Sequence, residues 1–147
     1  MIRNLLHVGI GVRDLEATVE FYTEVMGMEI LGRAHNMGEK ISRVVGVKDA
    51  ELVVCHVGKG DLRLELIDYK NDKKKAGSCY KEQDEPGILH IAFAVSDIDK
   101  EYEKIRALGY EFNAPPMVAR ENGPKICYFK GPDDVVIELF EENATKQ

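Results

Sequence analysis

The chain has 147 residues, 44% of them hydrophobic and 31% charged, and a net charge of −6. That length suffices for one core without disulfide staples, and the acidic balance excludes broad attraction to nucleic acid or to an anionic membrane surface. Cys55, Cys79 and Cys127 form no CxxC pair, which points to a reducing compartment and inert thiols rather than a disulfide framework or zinc finger.

No signal peptide and no apolar run of about 20 residues is visible, so a cytoplasmic protein with no membrane partner is expected. Residues 3–12, with Leu5, Leu6, Val8, Ile10 and Val12, read as a buried strand. Asp14 is placed to cap a helix and Glu16 to face its positive end. Leu15, Val19, Tyr22, Val25 and Met26 then recur at helical spacing, and Gly27 supplies the stop. Residues 28–32 open the next strand.

Residues 33–50 are ambiguous, polar at first and then carrying a short β-like run in Ile41, Val44, Val45 and Val47. Residues 51–57 read as a strand ended by a hairpin turn at Gly58-Lys59-Gly60. The return strand, 61–69, puts Leu62, Leu64 and Leu66 on one face and Arg63, Glu65 and Ile67 on the other. Residues 70–87, with Lys73-Lys74-Lys75 and a closing Pro86-Gly87, read as a solvated connector.

The second half repeats the plan. A strand runs from His90 to Val95, Asp97 caps a helix with Ile98, Tyr102, Ile105 and Leu108 on its apolar stripe, and Gly109 stops it. Strands at 110–114, 125–130 and 135–141 follow, separated by Pro115-Pro116 and by a turn at Gly131-Pro132-Asp133-Asp134, with a frayed tail after residue 141.

His90 follows His7 by 83 residues, and Asp97 follows Asp14 by the same 83. Glu138 follows Glu65 by 73, so the second half is shorter between its histidine and its glutamate, and the excess belongs in 33–50. The pattern predicts an α+β fold in one domain. Two tandem βαβββ modules, about 3–69 and 88–141, form a curled, partly closed mixed sheet with the helices outside.

By the pseudo-symmetry His7, Glu65, His90 and Glu138 face one another. A glutamate among apolar neighbours costs several kcal/mol unless paired, and two histidines with two carboxylates give that reason as a divalent-metal site. The donor set tolerates zinc, nickel, cobalt, manganese or ferrous iron. Taken singly, a histidine in an apolar strand is a satisfied core residue, and Glu65 a solvent-facing member of its strand. His35 and His56, which lack repeat partners, take that ordinary reading.

The His7 strand, the segment Phe21-Tyr22-Thr23-Glu24-Val25-Met26-Gly27-Met28 and the strand Val136-Ile137-Glu138-Leu139 resemble the vicinal oxygen chelate superfamily, the glyoxalase/bleomycin-resistance/dioxygenase fold, over nearly the whole chain. The resemblance implies one metal ligand on the first and last strand of each module, hence His7, Glu65, His90 and Glu138. It implies a glyoxalase-type lyase or isomerase that moves a proton on a carbon alpha to a metal-bound carbonyl or enediolate. Glu138, and then Glu65, would carry that proton. A small carbonyl or thioester substrate and a homodimer are implied too, with the site inside one chain or across a swapped pair.

The ligand pattern is similar to glyoxalase I, but Gly11 stands where the bacterial type has an arginine four residues after its first ligand, and Tyr69 where it has an asparagine. Methylmalonyl-CoA epimerase is the alternative enzyme. Leu89-His90 departs from its double histidine, and Lys73-Lys74-Lys75 offers a CoA phosphate contact or a plain solvated loop. A metal-free drug-binding protein of the bleomycin-resistance kind is the third reading.

Overall fold

The computed structural model describes residues 3–70 and 80–142. Lys73-Lys74-Lys75, Cys79 and the tail from 143 onward lie outside the described residues. The chain divides into two compact units, Met1–Gly77 and Ser78–Gln147, each a four-stranded mixed sheet with its own helix.

In the first unit, strand β1 (Val8–Gly11) leads into helix α1 (Leu15–Glu20), which continues as a π-helical turn, Phe21–Val25. The Asp14 carboxylate accepts the Ala17 N–H at 3.0 Å and caps the helix. The expected stop is in place, since Gly27 lies at φ 67°, a left-handed value that suits glycine. Strand β2 (Glu29–Met37) pairs antiparallel with β3 (Glu51–Lys59), which pairs antiparallel with β4 (Leu62–Tyr69). Strand β4 lies parallel to β1, giving the order β1-β4-β3-β2.

Residues 39–45 correct the sequence reading. The β-like run is helix α2 (Glu39–Val45). Ile41 and Val45 sit four apart, on one face of a helix, and both pack on the buried cluster Ala50, Leu52 and Val54. Tertiary packing thus overrides the β propensity of the valines. The excess length of the first half does fall in 33–50, as this helix and the long β2.

The second unit has β5 (Ile91–Ala94), α3 (Ile98–Ala107), a two-residue β6 (Met117–Val118), β7 (Lys125–Lys130) and β8 (Val136–Glu141), in the order β5-β8-β7-β6. Again first and last strands are parallel neighbours. The Asp97 carboxylate accepts the Lys100 N–H at 3.1 Å, the counterpart of the Asp14 cap. The strand expected at 110–114 is reduced to a single bridge, Phe112 to Phe129. Pro115-Pro116 cannot donate to a ladder, so pairing resumes only at β6. Leu108, expected on the buried stripe, caps α3 and is exposed.

The first unit buries apolar residues on both faces of its sheet, with Leu52 and Val54 packed beneath α2 on the face that also carries Glu65. Leu64, Leu66, Cys55 and Val57 are fully buried in the first unit, as are Ile98, Ile137 and, nearly, Leu139 and Ile105 in the second. The alternating residues of the same strands occupy the other face. Among the described residues, no helix is long and apolar enough to cross a membrane.

Candidate functional site

The parallel pairing of first and last strands positions the four expected residues. Gly9 lies opposite Glu65 and Ala92 opposite Glu138. His7 and His90 precede those partners by two residues, so period-two alternation sends each histidine to the face its glutamate occupies. His7 Nε2 stands 3.3 Å from Glu65 Oε2, and His90 Nε2 stands 3.1 Å from Glu138 Oε2. The structure therefore brings His7 to Glu65 in the first unit and His90 to Glu138 in the second. Among the described residues, no three His, Cys, Asp or Glu side chains form an ion-binding group by themselves.

Burial separates the two carboxylates. The Glu138 side chain is only 9% exposed, whereas that of Glu65 is 23% exposed. Glu138 is one of three buried polar or charged residues described, and no lysine or arginine stands against it. A carboxylate removed from water in this way needs hydrogen bonds or a positive charge.

The environment of His90 indicates which end of the ring faces Glu138. Gln83 Nε2 donates to the carbonyls of Leu89 (3.2 Å) and Lys81 (3.4 Å), so its Oε1 is the atom 3.1 Å from His90 Nδ1. An amide oxygen accepts only, so Nδ1 carries the proton and donates. In the neutral ring Nε2 is then the unprotonated nitrogen, 3.1 Å from Glu138 Oε2. Two acceptors at that distance require a proton or a metal cation, and a ring held through Nδ1–H with Nε2 presented is the usual posture of a metal-ligating histidine. The residues present fit a divalent ion.

Two residues were missed by the sequence reading. His56 lies opposite Glu65 on β3, with Nε2 3.2 Å from Glu65 Oε1, the oxygen not facing His7. Tyr128 lies opposite Glu138 on β7 and donates a hydrogen bond to its carboxylate. Burial, then that bond to Glu138, pushes the Tyr128 phenol up to about 12, so it is a neutral donor at physiological pH. Hairpin arithmetic would have found both, since the turn after Lys59 sets 56 against 65 and the turn after Lys130 sets 128 against 138. His35, by contrast, pairs with Glu51 on the exposed edge, and so is neither at the site nor the core histidine that its ordinary reading expected.

The model of the Glyoxalase/Bleomycin resistance protein/Dioxygenase superfamily matches residues 4–139. A lactoylglutathione lyase of Haemophilus influenzae is 30% identical, over 97% of this chain and 95% of that protein. A lactoylglutathione lyase of Arabidopsis thaliana is also 30% identical over 99% of this chain, which spans only 46% of that longer protein. Among solved structures, a glyoxalase family protein of Bacillus cereus superposes with a TM-score of 0.85 at 26% identity, covering 97% of this chain and 95% of that one. The fosfomycin resistance protein FosX of Listeria monocytogenes, solved with Mn(II), gives a TM-score of 0.64 at 21% identity, covering 99% and 98%, and shares the fold.

Proposed function

Because the chain belongs to the Glyoxalase/Bleomycin resistance protein/Dioxygenase superfamily, we propose that it is a metal-dependent lyase or isomerase of the glyoxalase type. It would act on a small carbonyl compound and move a proton on the carbon alpha to the carbonyl. The observation that carries this reading is the same histidine–glutamate pair, Nε2 to carboxylate oxygen, in both units. His7, Glu65, His90 and Glu138 are the proposed ligands of one divalent ion. A bound divalent ion supplies Lewis acidity to the substrate oxygen.

The chain's own groups do the remaining work. His90, fixed by Gln83, presents Nε2. Glu138 takes the proton from the substrate carbon and returns it to the neighbouring one, and Glu65 is the second carboxylate able to do so. The low exposure of Glu138 supports its priority, since bulk water is kept from the carboxylate that would carry the proton. Substitution of the glutathione-anchoring positions by Gly11 and Tyr69 argues for a substrate other than the simple glutathione adduct.

The test is metal analysis of protein purified without chelator, with turnover assays on the methylglyoxal–glutathione adduct and on other carbonyl and acyl thioester substrates. About one equivalent of a divalent ion and solvent deuterium incorporated at the alpha carbon are expected. Glu138→Gln is expected to lose on the order of 10²- to 10⁴-fold in turnover. Protein devoid of divalent ion, or a Glu138→Gln variant with full turnover, would refute the assignment.

A further inference from the structure

The two units share more than a histidine and a glutamate. His56 and Tyr128 occupy one place in the repeated plan. Strand β3 stands to β4 as β7 stands to β8, and the register puts His56 opposite Glu65 and Tyr128 opposite Glu138. Each ring also meets the histidine of its own unit edge to face. His56 and His7 have centroids 5.9 Å apart, and Tyr128 and His90 have centroids 5.2 Å apart. Each glutamate thus stands between two rings, one from the segment leading into the first strand of its unit and one from the neighbouring hairpin strand.

The oxygens of Glu65 are divided between those rings, with Oε2 facing His7 and Oε1 facing His56. An ion gathered by His7 Nε2 would take Oε2, the oxygen on its side. Oε1 would then be left to the His56 ring. A carboxylate with one oxygen held by a hydrogen-bond donor is biased toward binding a cation through the other oxygen.

From this geometry we propose that His56 and Tyr128 are paired positioning residues, each donating a hydrogen bond across the strands to a metal-binding glutamate and holding it to one-oxygen ligation. The proposal rests on the metal reading above. It adds two residues to the site and states what each does: His56 acts through Glu65, and Tyr128 through Glu138. Keeping the carboxylates to one oxygen apiece leaves coordination positions open to substrate, which a pair of two-oxygen carboxylates would fill.

The experiment is titration of chelator-treated protein with Co(II), read by its visible absorption and by competition with a chelator of known affinity. Native protein is compared with His56→Leu, His56→Gln and Tyr128→Phe. His56→Leu and Tyr128→Phe are expected to bind Co(II) about 10- to 100-fold more weakly with altered visible bands. His56→Gln, which keeps a donor, is expected to recover most of the native affinity and spectrum. If His56→Leu and Tyr128→Phe match the native protein, the positioning role is overturned and the metal site stands. If His56→Gln is as weak as His56→Leu, ring shape and not hydrogen bonding is responsible, and the role is again overturned. If the native protein itself takes up no Co(II), the metal reading falls first.

Discussion

Gln83 comes from a stretch whose composition announces only a connector, yet its amide is fixed by two backbone carbonyls and fixes His90 in turn. Gln83→Leu should therefore lower divalent-ion affinity by about 10- to 100-fold without unfolding the unit, checked by chelator competition and circular dichroism. Cys127 makes a separate prediction. It is 4% exposed, and burial pushes its thiol up to about 12 from an ordinary value near 9. The folded state thus holds a proton that the unfolded chain releases, so this contribution is complete below pH 9 and is lost as pH rises toward 12. A Cys127→Ala variant should show a flatter fall of unfolding free energy with pH across that window, measured by urea denaturation. At this scale the four ligand candidates were legible because each His and Glu has a counterpart. His56 and Tyr128 differ chemically, so repetition of residue type could not reveal them; strand register does.

At the scale of elements, the hairpin between β3 and β4 is tightly specified. A Cβ on Gly58 would lie 2.8 Å from the Leu62 carbonyl oxygen and 2.6 Å from Leu31 Cδ1. The leucine side chain can move, but the backbone oxygen cannot without opening the hairpin. Gly58→Ala should cost about 1–3 kcal/mol by thermal or urea unfolding. Removing the helix caps, by Asp14→Ala or Asp97→Ala, should cost about 0.5–2 kcal/mol each. Similar losses are expected, because the two carboxylates accept equivalent bonds at 3.0 and 3.1 Å. Both helices with these caps were readable from the sequence, being periodic and punctuated. Helix α2 was not, because three valines and an isoleucine over seven positions carry a β signal that only contact with Ala50, Leu52 and Val54 overrules. The 110–114 segment failed in the opposite sense, since a strand was expected there and the prolines that follow leave it one bridge.

For the whole molecule, ligation of an ion by the native state, as proposed, predicts that its removal is felt in stability. Stripping the ion should lower the thermal midpoint, and restoring it at 100 times its dissociation constant should return about 2.7 kcal/mol. An unchanged midpoint on restoring the ion would contradict ligation by the native state. The fold and the family were legible at this scale because a duplicated pattern constrains both halves at once. The substrate was not: recognition of its remote parts falls to loops, whose sequences obey no period.

The parallel pairing of β1 with β4, and of β5 with β8, also bears on how the protein is made. Val8 must meet Leu64, and Ile91 must meet Ile137, so the first strand of each unit waits for the last. Each late strand takes a central place, β4 between β1 and β3 and β8 between β5 and β7. Closure of such long loops is slow and is rewarded only at the end. During synthesis the first unit can complete its sheet once residue 69 has emerged, while a chain stopped earlier leaves β1 and β3 with open, aggregation-prone edges. The His7–Glu65 and His90–Glu138 contacts arise in those same closing steps. Acquisition of ion-binding competence would accordingly serve as a clock for completed folding rather than for early collapse.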